Sequence, residues 1–197
     1  EVDTRTNRNK KQNTMKILSE LTGYEYYKTT SCIDFDGGTY GTGILSKYPI
    51  ENHSSVALIS DGHEQRKLGH AVINIDGTVI DFFNTHLSWE SKETRAKQFA
   101  GIAKYTAECE NDLFIVTGDF NTRDFSEFEP IENSKLVNNE LTYMVSCGDD
   151  GAIDNVVYSK GFKVKSYGVY DKVVHSDHSM VWAELSFVPA EAPETEE

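Results

Sequence analysis

The sequence predicts a layered α/β protein built on mixed β-sheets, and three features carry that expectation. Runs rich in Val, Ile, Phe and Tyr recur from Gly43 to Phe187, turn-forming pairs such as Asp76-Gly77 separate them, and only two stretches show helical spacing. A regular alternation of strand and helix would give a parallel doubly wound sheet. Here several strands follow one another directly, which points to antiparallel and mixed pairing.

Taken in order, Asn13 to Leu21 places Met15, Ile17, Leu18 and Leu21 near helical spacing, and Gly23 follows as a C-terminal stop. Strands are expected at Gly43 to Tyr48, Ser55 to Ile59, Leu68 to Ile75 and Val79 to Asn84, with Asp76-Gly77 joining the last two as a hairpin. Ser91 to Glu108 mixes Ala96, Phe99, Ile102 and Ala103 with polar residues and is the longest expected helix, capped by Ser91 and Thr94. Further strands are expected at Leu113 to Thr117, Ile153 to Ser159, Lys163 to Val169 and Ser179 to Phe187. Residues 188–197 are Pro, Ala and acid and read as a disordered tail behind one domain of residues 1–187.

Length and charge narrow the function. A chain of 197 residues with 38% hydrophobic and 11% aromatic content suits one soluble domain, and no stretch reaches the roughly 18 apolar residues that a spanning helix needs. The compartment, cytoplasmic or secreted, stays open. Cys32, Cys109 and Cys147 are odd in number and widely spaced, which suggests free thiols rather than a disulfide framework or a zinc site. The net charge is −13, and setting aside the four tail glutamates leaves −9. Such a surface repels a phosphate backbone, so a small or lipid-like phosphoester fits better than duplex DNA.

Four polar clusters stand at the ends of expected strands: Asn84-Thr85-His86-Leu87, Gly118-Asp119-Phe120-Asn121, Ile153-Asp154-Asn155 and Ser176-Asp177-His178. Strand ends are where a rigid scaffold presents reactive groups on loops. Two histidines, several carboxylates and an Asn would supply metal ligands, a general base, its orienting acid and donors to a phosphoryl group. Each cluster alone has a plainer reading. Glu1 is an exposed end residue, Asp119 and Asn121 form an Asx turn, and Asp154 is a strand-edge charge.

Together with Glu1-Val2-Asp3 and Tyr40-Gly41-Thr42-Gly43-Ile44-Leu45-Ser46-Lys47-Tyr48-Pro49-Ile50, the order of these clusters resembles the endonuclease/exonuclease/phosphatase superfamily. The resemblance spans Glu1 to about Phe187. It implies a DNase I-like four-layer α/β sandwich, two mixed β-sheets packed face to face with helices outside. It also implies a phosphoesterase using Mg²⁺, or Mn²⁺ in its place. A non-catalytic scaffold that kept the fold, or a nuclease acting on DNA or RNA, is the alternative.

Position by position, the resemblance makes Glu1 and Asp177 metal ligands, His178 the base for the nucleophilic water, and Asp154 the carboxylate that holds its tautomer. Asp119 and Asn121 match the pair that positions the nucleophile and contacts phosphate, and His86 matches a second histidine able, when protonated, to donate to the transition state. The superfamily carries an earlier strand ending in a metal-holding Asn, so the resemblance implies that this chain starts inside the domain. Relatives often have Asn-Ala where Thr42-Gly43 stand here. His53, His63, His70 and His175 lie in no motif and read as surface or packing residues. Trp89, three residues after His86, reads as core, or as a stacking face for substrate.

Overall fold

Alternating side chains on the central strands divide the interior into two compartments, and that division explains the architecture. The computed structural model describes residues 1–109, 112–172 and 175–187; the expected tail lies outside them. Along the chain run β1 (Val2–Thr4), α1 (Thr14–Thr22), β2 (Tyr26–Phe35), β3 (Gly38–Ser46), β4 (Ile50–Ala57), β5 (Lys67–Ile75), β6 (Thr78–His86), α2 (Lys92–Ala107), β7 (Phe114–Asp119), β8 (Ser134–Leu136), β9 (Asp154–Ser159), β10 (Phe162–Tyr170) and β11 (Met180–Phe187). The central sheet has six strands in the order β4-β5-β6-β7-β9-β8. Among the described residues its one parallel pair is β6–β7, joined by the crossover through α2.

On one face of this sheet Leu68, Phe83, Phe114, Val116 and Val157 pack with Phe99 and Ile102 of α2. The intervening residues point the other way. Ile80, Ile115, Val156 and Tyr158 meet Phe162, Val164, Ala183 and Leu185 of the β10–β11 hairpin, while Ala71, Ile73 and Phe82 meet Ile44 of β3. The second face is thus covered by two antiparallel pieces, the three-stranded β1-β3-β2 sheet and the β10-β11 hairpin. Met15 of α1 lies over Gly43, on the side of β3 opposite Ile44. The order of layers is therefore helix, small sheets, central sheet, helix, the four-layer α/β sandwich expected. Hydrogen bonding divides the second β layer among the described residues into two sheets where one was expected.

Local chemistry sets most boundaries. Asn13 caps α1 by accepting from the Lys16 N–H at 3.1 Å, and Gly23 ends it with φ 71°. Ser91 caps α2 by accepting from the Thr94 N–H at 3.1 Å. Asp76 and Gly77 both have positive φ, 51° and 91°, as a tight two-residue hairpin between twisted strands demands. The expected strands from Gly43 and Ser55 begin earlier, at Gly38 and Ile50, and β1, β2 and β8 were not anticipated. No helix among the described residues is long and apolar enough to cross a membrane.

Candidate active site

The register of three neighbouring strands sets the site. His86 at the end of β6 pairs with Asp119 at the end of β7, and Asp119 pairs with Asp154 at the start of β9. Paired residues project from the same face, so these three side chains form a row at one end of the central sheet. They share the parity of Ile80, Ile115 and Val156, and so face the small sheets. Gly118 keeps the row tight: a Cβ there would overlap the Thr85 carbonyl oxygen, so any other residue would push β6 from β7 next to His86 and Asp119.

His178 approaches from the loop before β11. Its Nδ1 lies 2.7 Å from Asp154 Oδ2 and its Nε2 lies 3.9 Å from Asp119 Oδ2. Two contacts tie that loop down, a β-bridge between Cys147 and His178 and a 2.6 Å hydrogen bond from the Ser179 N–H to the Ser146 carbonyl. Ser146 Oγ also accepts from the Asp154 N–H at 3.0 Å. One short segment thereby fixes both members of the His–Asp pair. His86 Nε2 stands 3.5 Å from Asp119 Oδ2, and its Nδ1 stands 3.9 Å from Glu1 Oε1 across the gap between sheets.

Asn121 is held rather than free. Its backbone N–H donates to Asp119 Oδ1 at 2.8 Å, its amide donates to the Leu87 carbonyl at 2.9 Å, and its φ is 51°. The turn expected of Asp119 and Asn121 does form. It also delivers Asp119 Oδ2 to both histidines, so the turn and the cluster coexist. Asp177 is exposed, and its charge acts on both Glu1 and His178.

The electrostatics follow from crowding acids in a half-buried gap. Burial, reinforced by the Asp154 charge, pushes the Asp119 carboxyl up to about 6. Burial pulls His178 down, but the Asp154 hydrogen bond and the charges of Asp154, Asp119 and Asp177 outweigh it and raise its pKa. His86 is driven down to about 4 by burial and then by the Arg66 guanidinium. It is therefore neutral near pH 7, and the protonated form considered from sequence is not the resting one. Burial alone would raise Glu1, yet the hydrogen bond from the Tyr40 hydroxyl, and then the charge of its own amino group, hold it below its ordinary value.

Several contributors escaped the sequence reading. Arg66 is almost wholly buried, with Nη1 2.9 Å from Glu64 Oε1 and an Nε that finds no hydrogen-bond partner among the described residues. Tyr40 faces Glu1 from β3. Gln98 and Arg95, both buried in α2, brace the loop after His86: Gln98 accepts from the Ser88 N–H at 2.8 Å, and Arg95 donates to the Ser88 carbonyl at 3.1 Å. Arg95 also grips Glu127 with two hydrogen bonds of 3.0 and 3.1 Å. Only their place on the buried face of α2 distinguishes them, and a polar helix face hides that in sequence.

Asp119, Asp154 and His178 present ligand atoms within 4.8 Å of one another, a group able to hold a metal ion. Residues 1–178 match the family model described as Endonuclease/Exonuclease/phosphatase family. The chain belongs to that family. The endonuclease/exonuclease/phosphatase architecture is shared with a family protein from Beutenbergia cavernae, at TM-score 0.75 and 18% identity over 90% of this chain. This chain spans 58% of that protein's length. A mannosyl-6-phosphatase from Bacteroides thetaiotaomicron matches at TM-score 0.66 and 19% identity, covering 88% of this chain and 81% of its own. TDP2 from D. rerio, in complex with a single-strand DNA product, matches at TM-score 0.68 and 16% identity, covering 87% and 80%. No curated protein matches the sequence. At these identities the solved structures establish the fold, and the family is one of phosphoesterases and nucleases.

Proposed function

We propose that this chain hydrolyses a phosphoester of a small substrate with the help of a divalent cation, His178 taking the proton from the attacking water. The observation that carries this reading is the His178–Asp154 contact of 2.7 Å, with Asp119 3.9 Å from the opposite ring nitrogen. Asp154 accepts the Nδ1–H and leaves Nε2 as the acceptor, in the tautomer a general base needs. Asp119 sits where it can orient a water against Nε2. The water oxygen attacks phosphorus as its proton passes to Nε2, the bond to the leaving oxygen breaks, that oxygen takes a proton from solvent and departs as the alcohol, and Nε2 then returns its proton to solvent. In this reading the neutral His86 N–H donates to a phosphoryl oxygen, and Asn121 contacts one through the second amide hydrogen, the first being taken by the Leu87 carbonyl.

The donor set fits a hard cation. Carboxylates of Asp119 and Asp154 stand together at His178, Glu1 and Asp177 act on the two histidines from nearby, and burial with the Asp154 charge raises the Asp119 carboxyl, a crowding of acids that a bound cation would relieve. Such oxygen donors suit Mg²⁺ or Mn²⁺. Glu1 and Asp177 are the ligands in this reading, because an ion placed within the Asp119–Asp154–His178 group would displace the 2.7 Å hydrogen bond that orients the base. When bound, the cation would neutralise charge on the phosphoryl and leaving oxygens. The retention of His86, Asp119, Asn121, Asp154, Asp177 and His178 together favours an enzyme over a scaffold. The acidic balance favours a small ester over duplex DNA.

A base must be neutral to act. Because the His178 pKa is raised above 6.5, kcat/KM should climb with pH through a limb lying above 6.5. Asp154→Asn removes the charge that raises it, so the limb should move to lower pH while turnover falls about tenfold or more. A pH–rate profile on the Mg²⁺-loaded protein checks this. A limb that stays in place after the substitution would separate His178 from Asp154.

A further inference from the structure

Trp89 does not join the core: it is 70% exposed, on the loop that begins at His86. That loop is rigid, because Gln98 and Arg95 hold Ser88 on both its N–H and its carbonyl. A single exposed apolar side chain is ordinary. An indole fixed in place beside a reactive row is pre-organised for contact.

The indole borders a cleft of about 520 Å³ that Asn121, Arg123, Asp124 and Asp150 also line. Asn121 belongs to both the cleft and the Asp119 turn, and Ile153 at the cleft wall precedes Asp154, so the cleft opens directly beside the reacting position. Two of its cations are already engaged. Lys92 Nζ lies 2.8 Å from Asp124 Oδ2, and Arg95 grips Glu127. Arg123 is exposed and makes no ion pair among the described residues. Basic and acidic side chains balance here, three against three, on a chain whose net charge is −13.

This lining selects a ligand. An acyl chain would have to desolvate the charged groups of the cleft without repaying them. A polynucleotide or polyphosphate would bring several further anions into a cleft where Arg123 is the one cation without an ion pair among the described residues and Asp150 repels them. A ring carrying hydroxyl groups meets every feature. Its C–H face lies on the indole, its hydroxyls donate to the carboxylates, and Arg123 and Asn121 donate to its oxygens.

We propose that the substrate's leaving group is a polyhydroxylated ring, such as that of a sugar phosphate, seated on Trp89 in the cleft beside Asn121. This deepens the phosphoesterase reading and rests on it. Trp89 is then a specificity determinant, and its loss acts on selectivity between substrates.

The experiment compares the unsubstituted protein with Trp89→Ala and Trp89→Phe, each loaded with Mg²⁺ and shown by circular dichroism to be folded. Hydrolysis of glucose 6-phosphate, glycerol 3-phosphate and adenosine 5′-monophosphate is measured. Binding of the phosphonate analogue of glucose 6-phosphate, which cannot be hydrolysed, is measured by calorimetry. The expected result is that Trp89→Ala binds the phosphonate about tenfold more weakly and lowers the glucose 6-phosphate to glycerol 3-phosphate ratio of kcat/KM about tenfold, and that Trp89→Phe restores most of both. Trp89-dependent preference for the adenosine ester over the glucose ester, which would put the base rather than a hydroxylated ring on the indole, no phosphonate binding by the unsubstituted protein, or an unchanged ratio in Trp89→Ala overturns the ring assignment while hydrolysis itself stands. Tight, Trp89-dependent phosphonate binding without hydrolysis of any ester supports the cleft and overturns the phosphoesterase reading.

Discussion

His178→Ala should lower kcat by about 10²- to 10⁴-fold on any phosphoester the protein hydrolyses, the range a positioned general base contributes. The fall should appear in kcat more than in KM, because the ring acts on the water in the transition state and not on the bound ester. Its surroundings argue against collapse of the fold as the cause. The ring is part-exposed at the site mouth, and its backbone is held independently through the bridge to Cys147 and the Ser179–Ser146 hydrogen bond. Steady-state kinetics beside a thermal melt checks both points: turnover within about threefold of the unsubstituted protein would remove His178 as the base, whatever the melt showed.

Phe120→Ala should cost about 3–5 kcal/mol of stability, the usual penalty for emptying a buried aromatic site. Phe120 is fully buried, with ring centroids 5.9 Å from Phe99 and 4.7 Å from Phe128, which themselves meet at 4.8 Å. This trio joins α2 to the turn after β7, so its loss also loosens the support behind Asp119 and Asn121. For a chain of this size the melting temperature should fall on the order of 10 °C. Activity should decline along with stability, since the Phe120 N–H also bonds the Ile153 carbonyl at 2.9 Å, next to Asp154. A melting temperature within about 2 °C of the unsubstituted protein would show that the aromatic trio is not a principal part of the core.

What was legible in sequence was local. Asp76-Gly77 marks its hairpin because two positive φ angles in a row admit few residue pairs, and the start of α2 follows from Ser91 alone. The placement of His86, Asp119, Asp154 and His178 could be anticipated because each sits at the end of a strand or in a short loop just before one. What was hidden depends on tertiary position. Strand β2 lies at the edge of its sheet with Thr30 as its one fully buried residue, so its Tyr and Thr side chains show no alternation to read. Arg66 follows Asp61, His63 and Glu64 in a polar run that resembles a solvated loop, yet it is 4% exposed. Trp89 shows the reverse: core was one of the two readings its sequence position allowed, and it stands exposed on a loop braced by Gln98 and Arg95. The division of the second β layer is likewise a matter of which edges pair, about which the periodicity of any single strand says nothing.

The central claim, hydrolysis that depends on both a hard cation and the His178–Asp154 pair, is tested most directly by one titration. The protein is stripped with a chelator, and its hydrolysis of a small phosphoester is followed as Mg²⁺ is restored, for the unsubstituted chain and for Glu1→Gln and Asp177→Asn. Activity should vanish without the cation and return with it, and each substitution should raise the Mg²⁺ concentration for half-activity about tenfold, since each removes a charged oxygen ligand. Turnover that survives the chelator would contradict the account, and half-activity at the same Mg²⁺ concentration in all three proteins would contradict its assignment of the ligands.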